Sequence, residues 1–202
     1  MHETPPPSHE HSALLVVDAQ DSFKQSPRWE RRSNLDFEAH VGQLVESFRS
    51  AGRPVYFILH TDGDEHFETT SPHFKLMDFL APQPSEPVLV KNTRNAFTST
   101  DLGRRLDAAG IKRIAITGIQ TEQCCETTAR LAADLGYDVD FVLDATLTFP
   151  IADPVSGEEL STPDILRRTV FVLRKRFARI VNTAELAAEI QDHAPSGAAT
   201  AG

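Results

Sequence analysis

Cysteine, tryptophan and tyrosine are scarce in this 202-residue chain, which has two, one and two of them. The two cysteines, Cys124 and Cys125, are adjacent. They cannot staple distant segments, so a disulfide framework is excluded as the source of stability. Basic charge is also short: 20 Lys and Arg against 29 Asp and Glu leave a net charge of −9, with no long basic run. That balance argues against nucleic acid or an anionic membrane as partner. No apolar stretch approaches the ~20 residues that span a bilayer. Residues 1–11 hold three consecutive prolines and no basic-then-apolar pattern. No signal peptide is therefore expected, and a reducing cytoplasm is the expected location. No internal repeat stands out.

What is present reads as one globular domain. Apolar residues make up 40% and charged residues 24%, and the length suffices for a full core. Disordered tails are expected over 1–11 and 194–202, with a single domain over 12–193. The run Ser12–Val17 is short, continuously apolar and ends at Asp18, as a parallel strand buried on both faces would. Polar residues 19–34 read as a loop over its carboxyl end. A helix follows, with Phe37, Val41, Leu44, Val45, Phe48 and Ala51 on one face, Asn34 or Asp36 as cap and Gly52 as stop. Further strands are expected at Pro54–His60, Val88–Val90, Arg113–Thr117, Val139–Leu143 and Ala178–Val181. Helices are expected after Ser99 or Thr100, from the turn before Cys124 to Gly136, after Ser161 or Thr162, and from Thr183. Segments 61–87 and 145–161 read as irregular. Alternation of strands with helical crossovers gives an α/β fold, a three-layer sandwich with a parallel sheet and helices on both faces.

In such folds ligands bind at the carboxyl ends of strands. The residues placed there are Asp18, His60 to Asp64, Lys91, Cys124 and Asp144. Three have complementary chemistry. Cys124 lies at a helix start, where unpaired N–H groups and the helix dipole bias a thiol toward thiolate. Lys91 supplies a positive neighbour, and Asp18 can move protons. Cys125, about 100° further round the helix, is expected to pack in the core. Phe23, Trp29, Arg94, Phe97 and Phe149 fall in loops at the same edge, where they either line a substrate pocket or pack the loops on the sheet. Arg94 suits a substrate carboxylate, though it also reads as an ordinary surface arginine. Asp144 is expected to order the loop from Ala145 to Phe149.

Three separated motifs also resemble the isochorismatase-like cysteine hydrolases, which include nicotinamidases and N-carbamoylsarcosine and ureidoacrylate amidohydrolases. They are V-V-D-A-Q-D-S-F (Val16–Phe23), K-N-T-R-N-A-F-T-S-T-D-L (Lys91–Leu102) and G-I-Q-T-E-Q-C-C-E-T-T-A-R (Gly118–Arg130). The resemblance covers roughly Ala13 to Ala187. It selects Cys124 over Cys125 as nucleophile and matches Asp18 and Lys91 to the family's aspartate and lysine. It implies a six-stranded sheet in order 3-2-1-4-5-6. It further implies a cis peptide at Ile119–Gln120 and an oxyanion hole from the Gln120 and Cys124 N–H groups. The implied chemistry is hydrolysis of a small amide or carbamoyl compound through a thioester on Cys124, with no organic cofactor. A homo-oligomer, dimer or tetramer, is implied as well. The family's nicotinamidases hold a metal after the second strand; here His60, Asp64, His66 and His73 are eligible ligand types. The stretch from Asp64 to Lys91 is shorter than that subfamily implies, so no metal is expected. Two alternatives stay open: hydrolysis of an isochorismate-type vinyl ether, and a non-catalytic, redox-sensing protein on the same scaffold.

Overall fold

The computed structural model describes residues 9–192, so the expected tails fall largely outside the described residues. The exception is the start. His9 is fully buried, with its ring on Glu189, and the His11 carbonyl accepts the Lys112 and Arg113 N–H groups. The ordered chain therefore begins before Ser12. An imidazole packed against a carboxylate has a place in the fold that a count of prolines does not register.

The central sheet holds six parallel strands: β1 (Ser12–Val17), β2 (Val55–His60), β3 (Val88–Lys91), β4 (Arg113–Ile119), β5 (Asp138–Leu147) and, at the far edge, Arg179–Val181. A two-stranded antiparallel ribbon of Ile151–Ala152 (β6) and Glu159–Leu160 (β7) precedes that last strand, which becomes β8 in chain order. The sheet order is β3-β2-β1-β4-β5-β8, the expected order with the sixth sheet strand numbered eight. The ribbon lies inside 145–161, expected as irregular. Its strands are two residues each and largely exposed, too short for an alternating pattern to be read.

All six residues of β1 are buried because the strand feeds two cores. Leu14 and Val16 face a layer that includes Phe37, Val41, Leu44 and Phe48 of α1 (Phe37–Ser50) and Leu186 and Ile190 of α5 (Thr183–Asp192). Ala13, Leu15 and Val17 face Leu102 and Leu106 of α2 (Leu102–Ala108), Ala129 and Ala132 of α3 (Glu126–Asp134) and Leu173 of α4 (Thr162–Leu173). Period-two alternation with both faces covered yields the continuous apolar run seen in the sequence. Each Val, Leu, Ile or Phe side chain so buried contributes roughly 1.5–3 kcal/mol.

Gly118, near the end of β4, fits its place only as glycine. Its φ is +126°, and a Cβ there would stand 1.8 Å from the Val17 carbonyl oxygen. The two strand ends thus meet at backbone contact. Asp144 does not order its own following loop. Its Oδ1 instead accepts from the Thr183 N–H and hydroxyl, holding the start of α5. Among the described residues, no helix is long and apolar enough to cross a membrane.

Candidate active site

The structure brings Asp18, Lys91 and Cys124 together. Asp18 directly follows β1 with φ +51°, a left-handed conformation that aspartate tolerates better than most residues. Lys91 ends β3, and Cys124 lies in the turn Thr121–Cys125 that leads into α3. The Lys91 Nζ stands 2.7 Å from Asp18 Oδ2 and 3.4 Å from Cys124 Sγ, and both charged side chains are fully buried. A buried ion pair is retained only where partners compensate the lost hydration. Lys91 has three more: His60 Nδ1 at 3.2 Å, the Thr93 carbonyl at 3.2 Å and the sulfur.

Electrostatics at the cysteine differ from expectation. Burial pushes the Cys124 thiol up to about 12, with the Asp18 charge adding to the rise and Lys91 opposing it. The helix start that predicted a thiolate is outweighed by desolvation, so the resting group is a thiol. Burial likewise raises the Asp18 carboxyl, against the pull of Lys91. A carboxylate with raised proton affinity beside a thiol is placed to take its proton. Cys125 is fully buried in the core on the α3 side of the sheet, and burial raises its thiol too. Both cysteines are free.

Cys124 opens onto a pocket of about 310 Å³, at the small end of ligand cavities. Phe23, Arg94, Gln120 and Phe149 line it. The Ile119–Gln120 peptide is cis. Two other candidates do not line it. Trp29 stands behind Phe149, ring centroids 6.3 Å apart. Phe97 is buried in the core against Tyr137, at 5.9 Å, its backbone N–H donating to Asn95 Oδ1.

Sequence reading missed the roles of Gln20 and His60 and passed over Arg28 and Phe67, which line the pocket together with Asp62 of the expected strand-end stretch. Gln20 is fully buried. Its side chain accepts the His60 N–H at 2.7 Å and donates to the His60 carbonyl at 3.0 Å, fixing the end of β2. His60 pairs in register with Lys91. Its imidazole then bridges Lys91 and, through Nε2, Arg94 at 2.8 Å and Asp62 at 3.1 Å. Burial and the Lys91 charge lower its proton affinity, so it stays neutral. The signal for Gln20 was its place in V-V-D-A-Q; the signal for His60 was its strand-end position.

The four metal-ligand candidates do not converge. A guanidinium occupies the side of His60 where a cation would sit. Asp64 Oδ1 accepts the His66 N–H, while His73 Nδ1 lies 3.5 Å from Asp21. Among the described residues, no group of three or more His, Cys, Asp or Glu could hold a metal ion.

A doubly wound parallel sheet gathering a cysteine, a lysine and an aspartate beneath a small pocket is the architecture of an α/β enzyme working on small molecules. The chain belongs to the isochorismatase family: residues 12–156 match the isochorismatase domain. It is 29% identical over 179 residues to the uncharacterized isochorismatase family protein YrdC of Bacillus subtilis (strain 168), covering 88% of this chain and 95% of that one. It is 30% identical over 159 residues to Nicotinamidase 3 of Arabidopsis thaliana, covering 71% and 76%. The fold is shared with the crystal structure of a cysteine hydrolase from Pseudomonas syringae pv. phaseolicola 1448A, at TM-score 0.85 and 24% identity, over 96% of this chain and all of that one. The chain is thus a hydrolase of the isochorismatase family, with amidohydrolases among its relatives.

Proposed function

We propose that this hydrolase cleaves a compact amide or carbamoyl compound through a thioester on Cys124. The observation that carries the reading is the ammonium of Lys91 set between the Asp18 carboxylate and the sulfur of Cys124, the one of the three that lines the pocket. Cys124 Sγ attacks the carbonyl carbon while its proton passes to Asp18. The carbonyl electrons move onto oxygen, which the Gln120 and Cys124 backbone N–H groups receive. Asp18 then protonates the departing nitrogen as the C–N bond breaks, leaving the thioester and an amine or ammonia. Water next attacks the thioester, giving its proton to Asp18, and the thiolate leaves and is reprotonated. Lys91 offsets negative charge on Asp18 and on sulfur throughout.

Hydrolysis of a vinyl ether would use Asp18 as acid and give Cys124 no role, so the sulfur in the pocket favours amide chemistry. A redox-sensing role predicts reversible oxidation shared between Cys124 and Cys125. Intact-mass analysis separates these readings. After exposure to a panel of small amides, the expected result is an acyl mass on Cys124 and turnover that Cys124→Ala abolishes. Full turnover in Cys124→Ala, or a peroxide-induced adduct as the sole change, overturns it.

A further inference from the structure

Thr128 is a hydroxyl placed where an alanine would serve the helix better. It lies in α3 about one helical turn beyond Cys124 and is fully buried, as are Ala129 and Ala132. Threonine is a poorer helix former than alanine, so its presence here calls for a use of the hydroxyl. Thr128 Oγ1 accepts the Ala96 N–H at 3.1 Å, with both residues fully buried.

Ala96 belongs to the loop that runs from Lys91 to the start of α2. That loop is closed on itself by its own polar groups. Thr93 Oγ1 lies 3.0 Å from the Asn95 carbonyl and 2.9 Å from Ser99 Oγ. Asn95 Oδ1 accepts the Phe97 and Thr98 N–H groups, and Thr100 Oγ1 donates to the Ala96 carbonyl. A loop so cross-linked shifts as a unit. It meets the Lys91 ammonium through the Thr93 carbonyl, 3.2 Å from Nζ. Among the described residues, the bond from Ala96 to Thr128 is the hydrogen bond that ties this loop to α3. Apolar packing of Ala96 and Phe97 in the same core adds attraction without direction.

The ammonium has more partners than hydrogens. Three N–H groups face Asp18, His60, Thr93 and Cys124, and the sulfur is the most distant of the four at 3.4 Å. A loop drawn off α3 takes the Thr93 carbonyl with it, and the ammonium follows that carbonyl away from the sulfur.

We propose that Thr128 is a positioning residue for the nucleophile: by holding the Ala96 N–H, it sets the distance between the Lys91 ammonium and Cys124 Sγ. This deepens the reading above and rests on Cys124 as its nucleophile.

The test uses the full chain. Thr128→Val keeps the shape and removes the hydroxyl, leaving the buried Ala96 N–H without its acceptor; Thr128→Ser keeps the acceptor. The first readout is alkylation of Cys124 by iodoacetamide, assigned by peptide fragmentation, in protein shown to be folded by circular dichroism. Lys91 opposes the upward push on the thiol, so an ammonium withdrawn from the sulfur leaves less thiolate at each pH. Thr128→Val is expected to alkylate about tenfold more slowly than wild type between pH 7 and pH 10, and Thr128→Ser within about twofold of wild type. A merely structural hydroxyl would lower the melting temperature of Thr128→Val and leave these rates unmoved. The second readout is amide turnover, where kcat should fall about tenfold with KM little changed, because Thr128 does not line the pocket. Alkylation of folded Thr128→Val at the wild-type rate, or Thr128→Ser as slow as Thr128→Val, overturns the inference whatever amides are turned over. Alkylation slowed in Thr128→Val and restored in Thr128→Ser supports it even where no amide is a substrate, in which case the amidohydrolase reading alone fails. If Thr128→Val does not fold, Thr128→Ala, the better helix former, carries the same expectations.

Discussion

Lys91 Nζ and Asp18 Oδ2 are 2.7 Å apart with both side chains fully buried, joined from strands that are not neighbours in the sheet. β2 lies between them, and its last residue, His60, supports the ammonium from the side. The pair is therefore held by three strand ends. Removing Lys91 leaves a buried carboxylate without its cation, a change that costs about 3–5 kcal/mol. Lys91→Ala is expected to lower the unfolding midpoint in denaturant accordingly and to abolish acylation of Cys124. A variant with wild-type stability in urea would show that the pair adds little to the fold.

Cys124 is expected to react as a thiol. With its proton held up to about 12, alkylation by iodoacetamide should climb steadily from pH 7 to pH 10 without a plateau. A plateau near pH 7 would mean that the helix start and Lys91 dominate. The same shift bears on stability. A group whose proton is held more tightly in the folded state contributes fully below its unfolded value of 9.0 and loses that contribution as pH rises toward 12. Unfolding in urea should thus become easier across that window, and less steeply so in Cys124→Ser.

Asp18 governs the opposite limb. Its carboxyl is raised by burial, and only the ionised form can take the thiol proton. Acylation should fall as pH drops through a value above the ordinary 3.8 of an aspartate. Measured as kcat/KM against pH, an acid limb at or below 3.8 would show that Lys91 outweighs burial at this carboxylate.

Gly118 carries the close approach of β4 to β1. Gly118→Ala places a carbon where the Val17 carbonyl oxygen already stands, at a φ that alanine rarely adopts. Such overpacking against backbone costs about 3 kcal/mol or more. Low yield of folded protein is expected, with little acylation in what remains, because β4 leads directly to Gln120 and Cys124. A soluble Gly118→Ala with unchanged circular dichroism and melting would refute the close contact.

The layers of the fold were legible because their signals are local. Continuous apolar strands, an amphipathic α1 and polar residues at strand ends each announce themselves within a few residues. The site was half legible. Asp18, Lys91 and Cys124 could be named from strand-end chemistry and motif spacing, but their depth could not. That depth reverses the sign of the expected thiol shift. His60 became part of the site through one register fact, its pairing opposite Lys91, which no residue pattern states. Phe97 and Trp29 fall in the right loops, yet one packs in the core against Tyr137 and the other stands a layer back behind Phe149. The short β6–β7 ribbon has too few residues to show a period.

Gln20 offers the sharpest check on how the strand ends are fixed. It touches neither Cys124 nor the pocket, yet its side chain forms two hydrogen bonds to the backbone of His60 and one to Ser22. Gln20→Ala leaves the buried His60 N–H and carbonyl short of these partners, at a cost of about 1–3 kcal/mol for each unsatisfied group. The larger effect should be on chemistry. If the end of β2 relaxes, the imidazole moves off Lys91, and displacement of about 1 Å in such an array can cost up to about a hundredfold in rate. The expected outcome is a fall in kcat on any amide the wild type turns over, with KM little changed, since Gln20 does not reach the ligand. Gln20→Glu keeps an acceptor for the His60 N–H and should recover part of the rate. Unaltered kcat in Gln20→Ala, in protein shown to be folded, would mean that His60 is held by its imidazole contacts rather than by its backbone.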